Sequence, residues 1–210
     1  MERRYTPHPT KVEARADGGK EIVGYAAVFY REGDAGTEYR LYDDLVERIM
    51  PGAFDEAVDQ RHDVRALFNH DPSMVLGRAE ASTLRIDTDA TGLRYSISPP
   101  NTQAGRDVVE LLERGDVSGS SFAFIPTRVS WEERMDKNTK KVEYIRKIEN
   151  VRLIDVGPVT YPAYESTTAG VRSADQAQDA VEELRKYRMR KQSVEVRLRE
   201  ISLDIDQITL

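Results

Sequence analysis

Between Glu21 and Val156, short runs of alternating apolar and polar residues follow one another, and each is soon closed by glycine, proline, asparagine or aspartate. Runs of that kind suit strands that turn back on their neighbours. They leave little room for the helix that must follow each strand of a doubly wound sheet. "EIVGYAAVF" at 21–29 has the β-branched and aromatic content of a strand, with Gly24 as a bulge candidate. Val64 to Phe68 reads as another strand. Leu84 and Ile86, then Leu93, Tyr95 and Ile97, alternate on either side of the turn-forming "DTDATG" and predict a hairpin. Phe122 to Val129 and Val142 to Val156 add further strands, separated by the charged excursion "SWEERMDKNTKK". Helical spacing is confined to "AFDEAV" after Pro51 and to Thr102–Arg114, where Val108, Val109, Leu111 and Leu112 share a face and Gly115 stands at the stop. The pattern predicts a mainly β, α+β fold, its sheet closed or curled into a barrel with helices at the periphery.

The two ends differ from this body, which spans 21–165. Residues 1–20 are polar and carry Pro7, Pro9, Gly18 and Gly19, which predicts a flexible arm or an edge segment. After Glu165 the small, polar stretch "ESTTAGVRSADQ" reads as a linker over 166–176. From Ala177 to the end, Ala177, Ala180, Leu184, Tyr187, Lys191, Val194, Leu198, Ile201, Ile205 and Ile208 recur at steps of three and four. That seam predicts a helix over 177–210, of which roughly 30 residues at 1.5 Å each make about 45 Å. It either folds back on the body of the protein or pairs with a second copy or another coiled segment. "SLDIDQITL" alternates as well and leaves a terminal strand open.

Composition removes several classes of function. The net charge is -6 and both signs are interspersed, so there is no basic footprint for a nucleic acid. There is no cysteine, hence no disulfide, thiolate metal site or cysteine nucleophile. No stretch approaches the roughly 20 apolar residues of a membrane span, and a soluble, unexported protein is expected. The three histidines, His8, His62 and His70, offer no metal-ligand spacing on a helix face, so neither a metal nor a cofactor is expected.

Serine chemistry remains. A serine needs a base, and a histidine base works best when a carboxylate fixes its tautomer. His70 follows the apolar "ALF" and stands between Asn69 and Asp71, at the mouth of whatever core that strand enters. His62 and His8 lie in polar stretches. Asp155 in "VRLIDVGPV" has apolar neighbours on both strand faces, so its charge needs a partner, structural or catalytic; Glu143 and Glu149 are rivals in more polar surroundings. In "VSGSSFAF", alternation puts Phe122 and Phe124 on one face and Ser121 and Ala123 on the other, whereas Ser118 and Ser120 belong to the preceding turn. There is no G-x-S-x-G elbow, and the chain order His, Ser, Asp differs from three well-known hydrolase folds.

"PGAF" at 51–54, "LFNHD" at 67–71, "LGR" at 76–78, "SGSSFAF" at 118–124 and "VTYPAY" at 159–164 together resemble the successive motifs of the tailed-bacteriophage prohead serine proteases, relatives of the herpesvirus assemblins. The resemblance runs from about Ile22 to Thr168. It implies a closed β-barrel with peripheral helices, His70 as base, Ser121 as nucleophile and Asp155 as the third member, where assemblins use a second histidine. It departs at Ala123, where the family usually has glycine. The activity it implies is cleavage of scaffold segments of the major capsid protein, and of the protease itself, inside the immature capsid in the host cytoplasm. The "ESTTAGVRSADQ" stretch is then a candidate for self-cleavage, and 177–210 a segment for docking onto scaffold or a second copy. A non-catalytic capsid scaffold that keeps the fold is the main rival, and an esterase of unrelated fold a weaker one.

Overall fold

The computed structural model describes residues 1–6, 8–60, 62–135, 140–161 and 172–208. Among these residues eleven strands and three α-helices are formed in the order β1 (Glu2–Thr6), β2 (Lys11–Ala14), β3 (Lys20–Val28), β4 (Tyr39–Tyr42), β5 (Leu45–Ile49), α1 (Asp55–Asp59), β6 (Arg65–Leu67), β7 (Val75–Arg78), β8 (Leu84–Thr88), β9 (Gly92–Ile97), α2 (Gln103–Arg114), β10 (Gly119–Met135), β11 (Val142–Val159) and α3 (Arg172–Ile208). The mainly β expectation holds, with few helices and a helical C-terminal segment.

The strands do not close into a barrel. One sheet runs β1-β10-β11-β5-β4, with β6 and β7 branching from β11, and the other runs β2-β3-β9-β8. The reason lies in β11, which is 18 residues long. Its first half pairs with β5 and its second half with β6, both in parallel, so the sheet forks instead of wrapping round. The two sheets, α1 and α2 share one core, in which Ile22, Leu93, Tyr95, Phe122, Phe124 and Val156 are buried together.

Local signals were obeyed where they were strong. Thr102 caps α2 by accepting a hydrogen bond from the Gly105 N–H at 3.2 Å, and Gly115 ends it in the left-handed conformation, φ 81°. The hairpin at "DTDATG" joins β8 to β9. The charged "SWEERM" stretch, by contrast, continues β10 as the long arm of a hairpin with β11, from Ser130 opposite Lys147 to Met135 opposite Val142. Facing charges such as Lys147 with Glu132 and Arg134 with Glu143 take the place of apolar alternation there. Residues 1–20 take the edge-segment form: β1 and β2 are edge strands, one in each sheet.

Helix α3 begins at Arg172, inside the stretch read as a linker, whose residues 166–171 lie outside the described residues. "SLDIDQITL" is helical to Ile208, not a strand. The seam is divided. Ala180 and Leu184 are buried with Leu45 and pack against Trp131, Tyr144 and Tyr187, while Val194 and Leu198 are 56% and 60% exposed. The fold-back reading therefore describes the first third of the helix. No helix among the described residues is long and apolar enough to cross a membrane.

Candidate active site

Ser121 lies near the start of β10, opposite Gly157 of β11, and Asp155 stands two residues before that glycine, opposite Ala123. Facing residues of an antiparallel pair share a sheet face, so Ser121, Ala123 and Asp155 project to the same side. Phe122 and Phe124 project to the other, where their rings stack with centroids 4.9 Å apart. The alternation that separated Ser121 from the two earlier serines is the one the strand adopts. Ser120, also buried, turns its hydroxyl to Tyr95 Oη at 3.0 Å. Burial pushes the Tyr95 phenol up to about 12, so it stays protonated and is no base.

His70 arrives from a different element. Just beyond β6, Asn69 and His70 adopt consecutive left-handed conformations, φ 54° and 57°. Such conformations are uncommon outside glycine, and although asparagine and histidine are among the side chains found there most often, two in succession have to be held. Asn69 supplies the hold. Its N–H donates to the Pro158 carbonyl at 3.1 Å, its amide nitrogen to Thr160 Oγ1 at 2.9 Å, and its Oδ1 accepts from the Thr160 N–H at 2.9 Å. The "NHD" loop is thereby tied to the end of β11, and the imidazole falls between Ser121 and Asp155.

His70 Nδ1 is 2.5 Å from Asp155 Oδ1 and His70 Nε2 is 2.5 Å from Ser121 Oγ. An ionised carboxylate can only accept, so Nδ1 carries the proton and, in the neutral ring, Nε2 is the acceptor facing the hydroxyl. All three residues are buried. Water is thus excluded from a hydroxyl, a base and an orienting carboxylate in line, an arrangement that can activate the hydroxyl for attack on a carbonyl carbon. The rival carboxylates lie elsewhere: Glu143 pairs with Arg40 and Arg134, and Glu149 with Arg128 and Ser130. Ala123, the departure from the family pattern, puts its methyl on the Asp155 side of the strand. Among the described residues no group of three His, Asp or Glu side chains could hold a metal ion.

One partner of the site was not foreseen. Ser121 Oγ also lies 2.8 Å from the carbonyl oxygen of Arg4 in β1. Arg4 and Glu2, both buried, enter a charge network with Glu47 of β5, Arg146 of β11 and Glu183 of α3. Burial pushes the Glu2 carboxyl up, yet the hydrogen bond and charge of Arg146, with those of Arg4, outweigh it and hold the group below its ordinary value. Glu183 goes the other way: burial raises it against the pull of Arg146. The only available signal was the pairing of opposite charges at alternate positions, Glu2 with Arg4, in a stretch otherwise read as an arm.

A family model described as caudovirus prohead serine protease matches residues 8–183. No curated protein and no solved structure matches the chain.

Proposed function

The chain belongs to the caudovirus prohead serine proteases, and from that premise we propose that it is the endopeptidase that cuts scaffold segments from the major capsid protein during capsid maturation. The observation that carries the reading is the unbroken line from Ser121 Oγ through His70 to Asp155, each step 2.5 Å. In the first half-reaction Ser121 Oγ attacks the scissile carbonyl carbon while its proton passes to His70 Nε2. Asp155 stabilises the imidazolium that results. His70 then gives the proton to the leaving amine, the C–N bond breaks, and an acyl ester on Ser121 remains. Water, deprotonated by His70, attacks the ester and frees the carboxylate and Ser121.

The cleavage takes place inside the immature capsid in the host cytoplasm. The exposed part of the seam in α3 supports docking onto scaffold or onto a second copy before assembly, and the 166–176 stretch is the site offered for self-cleavage. Co-expression with the cognate capsid protein tests the assignment. Ser121→Ala should abolish processing, while Ser120→Ala should keep it and lose the hydrogen bonds of that hydroxyl to Tyr95 and to the Gly157 carbonyl. Equal processing in wild type and both variants would refute the nucleophile, and loss in Ser120→Ala alone would move it by one residue.

A further inference from the structure

β1 runs antiparallel along the outer edge of β10, with Tyr5 opposite Ser121 and Arg4 opposite Phe122. An extended peptide added to a sheet edge is a common mode of peptide recognition, in which backbone pairing gives affinity and alternate side chains enter pockets. β1 has that form, and it does more than cover the edge. The Arg4 carbonyl is 2.8 Å from Ser121 Oγ, and the Tyr5 ring meets the His70 imidazole edge-on at 6.3 Å between centroids. The peptide bond from Arg4 to Tyr5 therefore lies at the hydroxyl and the base together.

The alternate side chains are equally committed. Arg4 Nε donates to Glu47 Oε1 at 2.6 Å and its Nη2 to Glu47 Oε2 at 2.9 Å, a bidentate pair with a carboxylate that is fully buried. Two residues earlier, Glu2 accepts from Arg146 Nη1 at 2.7 Å and Nη2 at 2.8 Å. If β1 leaves, Glu47 keeps Arg146 as a partner, and Arg146 keeps Glu47 and Glu183. Glu47 still loses its bidentate arginine and Arg146 the two hydrogen bonds to Glu2, so these two positions are free to take the same kinds of side chain from another peptide.

We infer that β1 holds the place of a bound substrate, and that the groove along β10 takes an extended peptide with arginine immediately before the cut bond, read by Glu47, and an acidic residue two positions earlier, read by Arg146. This rests on Ser121 being the nucleophile. While β1 is seated, Ser121 is fully buried and its single proton faces two acceptors, His70 Nε2 and the Arg4 carbonyl. An outside substrate must displace β1, so this strand also restrains the enzyme.

The test uses the full chain, wild type and Arg4→Gln. Two probes are needed: a fluorophosphonate that modifies an activated serine, followed by intact mass, and a blocked peptide with the β1 order Glu, Arg, Arg, Tyr, Thr beside an analogue with glutamine for the second arginine. Arg4→Gln should be modified at least about tenfold faster than wild type and should cut the first peptide after its second arginine at least about tenfold faster than the analogue. Adding Glu47→Gln should bring the two peptides to equal rates. Equal modification of wild type and Arg4→Gln together with equal cutting of both peptides overturns the groove and leaves the serine assignment standing. No modification and no cutting in any chain overturns both. Should Arg4→Gln fail to fold, wild type answers the question: the arginine peptide must slow its modification at least about tenfold more effectively than the analogue, and equal potency overturns the inference.

Discussion

Gly157 stands directly opposite Ser121 in the ladder between β10 and β11, and a methyl group on it would lie 2.1 Å from the carbonyl oxygen of Leu67. Leu67 closes the strand that delivers His70, so this glycine sets how closely the His70 ring can approach Ser121. Gly157→Ala must push β6 outward. It should cost about 1–3 kcal/mol or more in urea unfolding and lower capsid-protein processing by about a hundredfold, the penalty for misplacing a catalytic group by an ångström. Gly115→Ala is the control: it is left-handed, φ 81°, with nothing within 4 Å of the new carbon. It should cost about 1–2 kcal/mol of helix-end strain and leave processing intact. Equal processing by both variants would refute the argument.

The Asn69 clamp makes a second prediction. Asn69→Ala removes both side-chain hydrogen bonds to Thr160 and the side chain suited to φ 54°. The loss should be about 1–3 kcal/mol, with processing reduced about ten- to a hundredfold because His70 is no longer held. Thr160→Val removes only one of the bonds and should do less. In the double variant the two losses should sum to less than their parts, since they share a contact. Simple additivity would mean that the two residues act separately.

The residues proposed for the site could be singled out by local pattern, whereas parts of the fold around them could not, for a physical reason. Ser121, His70 and Asp155 sit in segments with local signals: a phenylalanine alternation, an apolar run that ends just before Asn69 and His70, and a carboxylate in an apolar strand. β5 carried no such signal. Its sequence "LVERI" is buried throughout, Glu47 and Arg48 included, and those charges make sense only beside Arg4, Arg146 and Glu38. The same holds for β1, whose burial depends on partners more than forty residues away. Sheet closure fails for a related cause. Alternation marks which residues are strand, but not that β11 will exchange β5 for β6 halfway along.

The divided seam of α3 leads to a contrast within one helix. Leu184 is buried against the body of the protein, whereas Leu198 is 60% exposed. Leu184→Ala should destabilise the fold by about 2–5 kcal/mol, and Leu198→Ala should leave monomer stability within about 0.5 kcal/mol. If the outer seam docks a second copy, sedimentation of the wild type should show a concentration-dependent dimer that Leu198→Ala weakens. Identical sedimentation of the two would remove self-association from the proposal.

Acid should loosen β1 before it unfolds the core. Glu2 is held below its ordinary value of 4.5: burial raises it, and Arg146 and Arg4 more than compensate. A carboxylate whose folded value is depressed contributes stability above its unfolded value and loses that contribution as pH falls through the folded one. Glu38 and Glu143 shift the same way: burial raises each, but Arg134 with Arg48, and Arg40 with Arg134, outweigh it. Glu183 shifts oppositely and offsets part of the slope. Thermal midpoints of wild type should therefore fall between about pH 6 and pH 3, and Glu2→Gln, which has nothing to protonate at that position, should show a shallower fall. Fluorophosphonate modification at pH 7 separates this from a general charge effect: Glu2→Gln should be modified faster than wild type, because the strand that covers Ser121 has lost its ion pair with Arg146. Parallel melting curves and equal modification would show that the Glu2 contacts with Arg146 and Arg4 do not hold β1 in place.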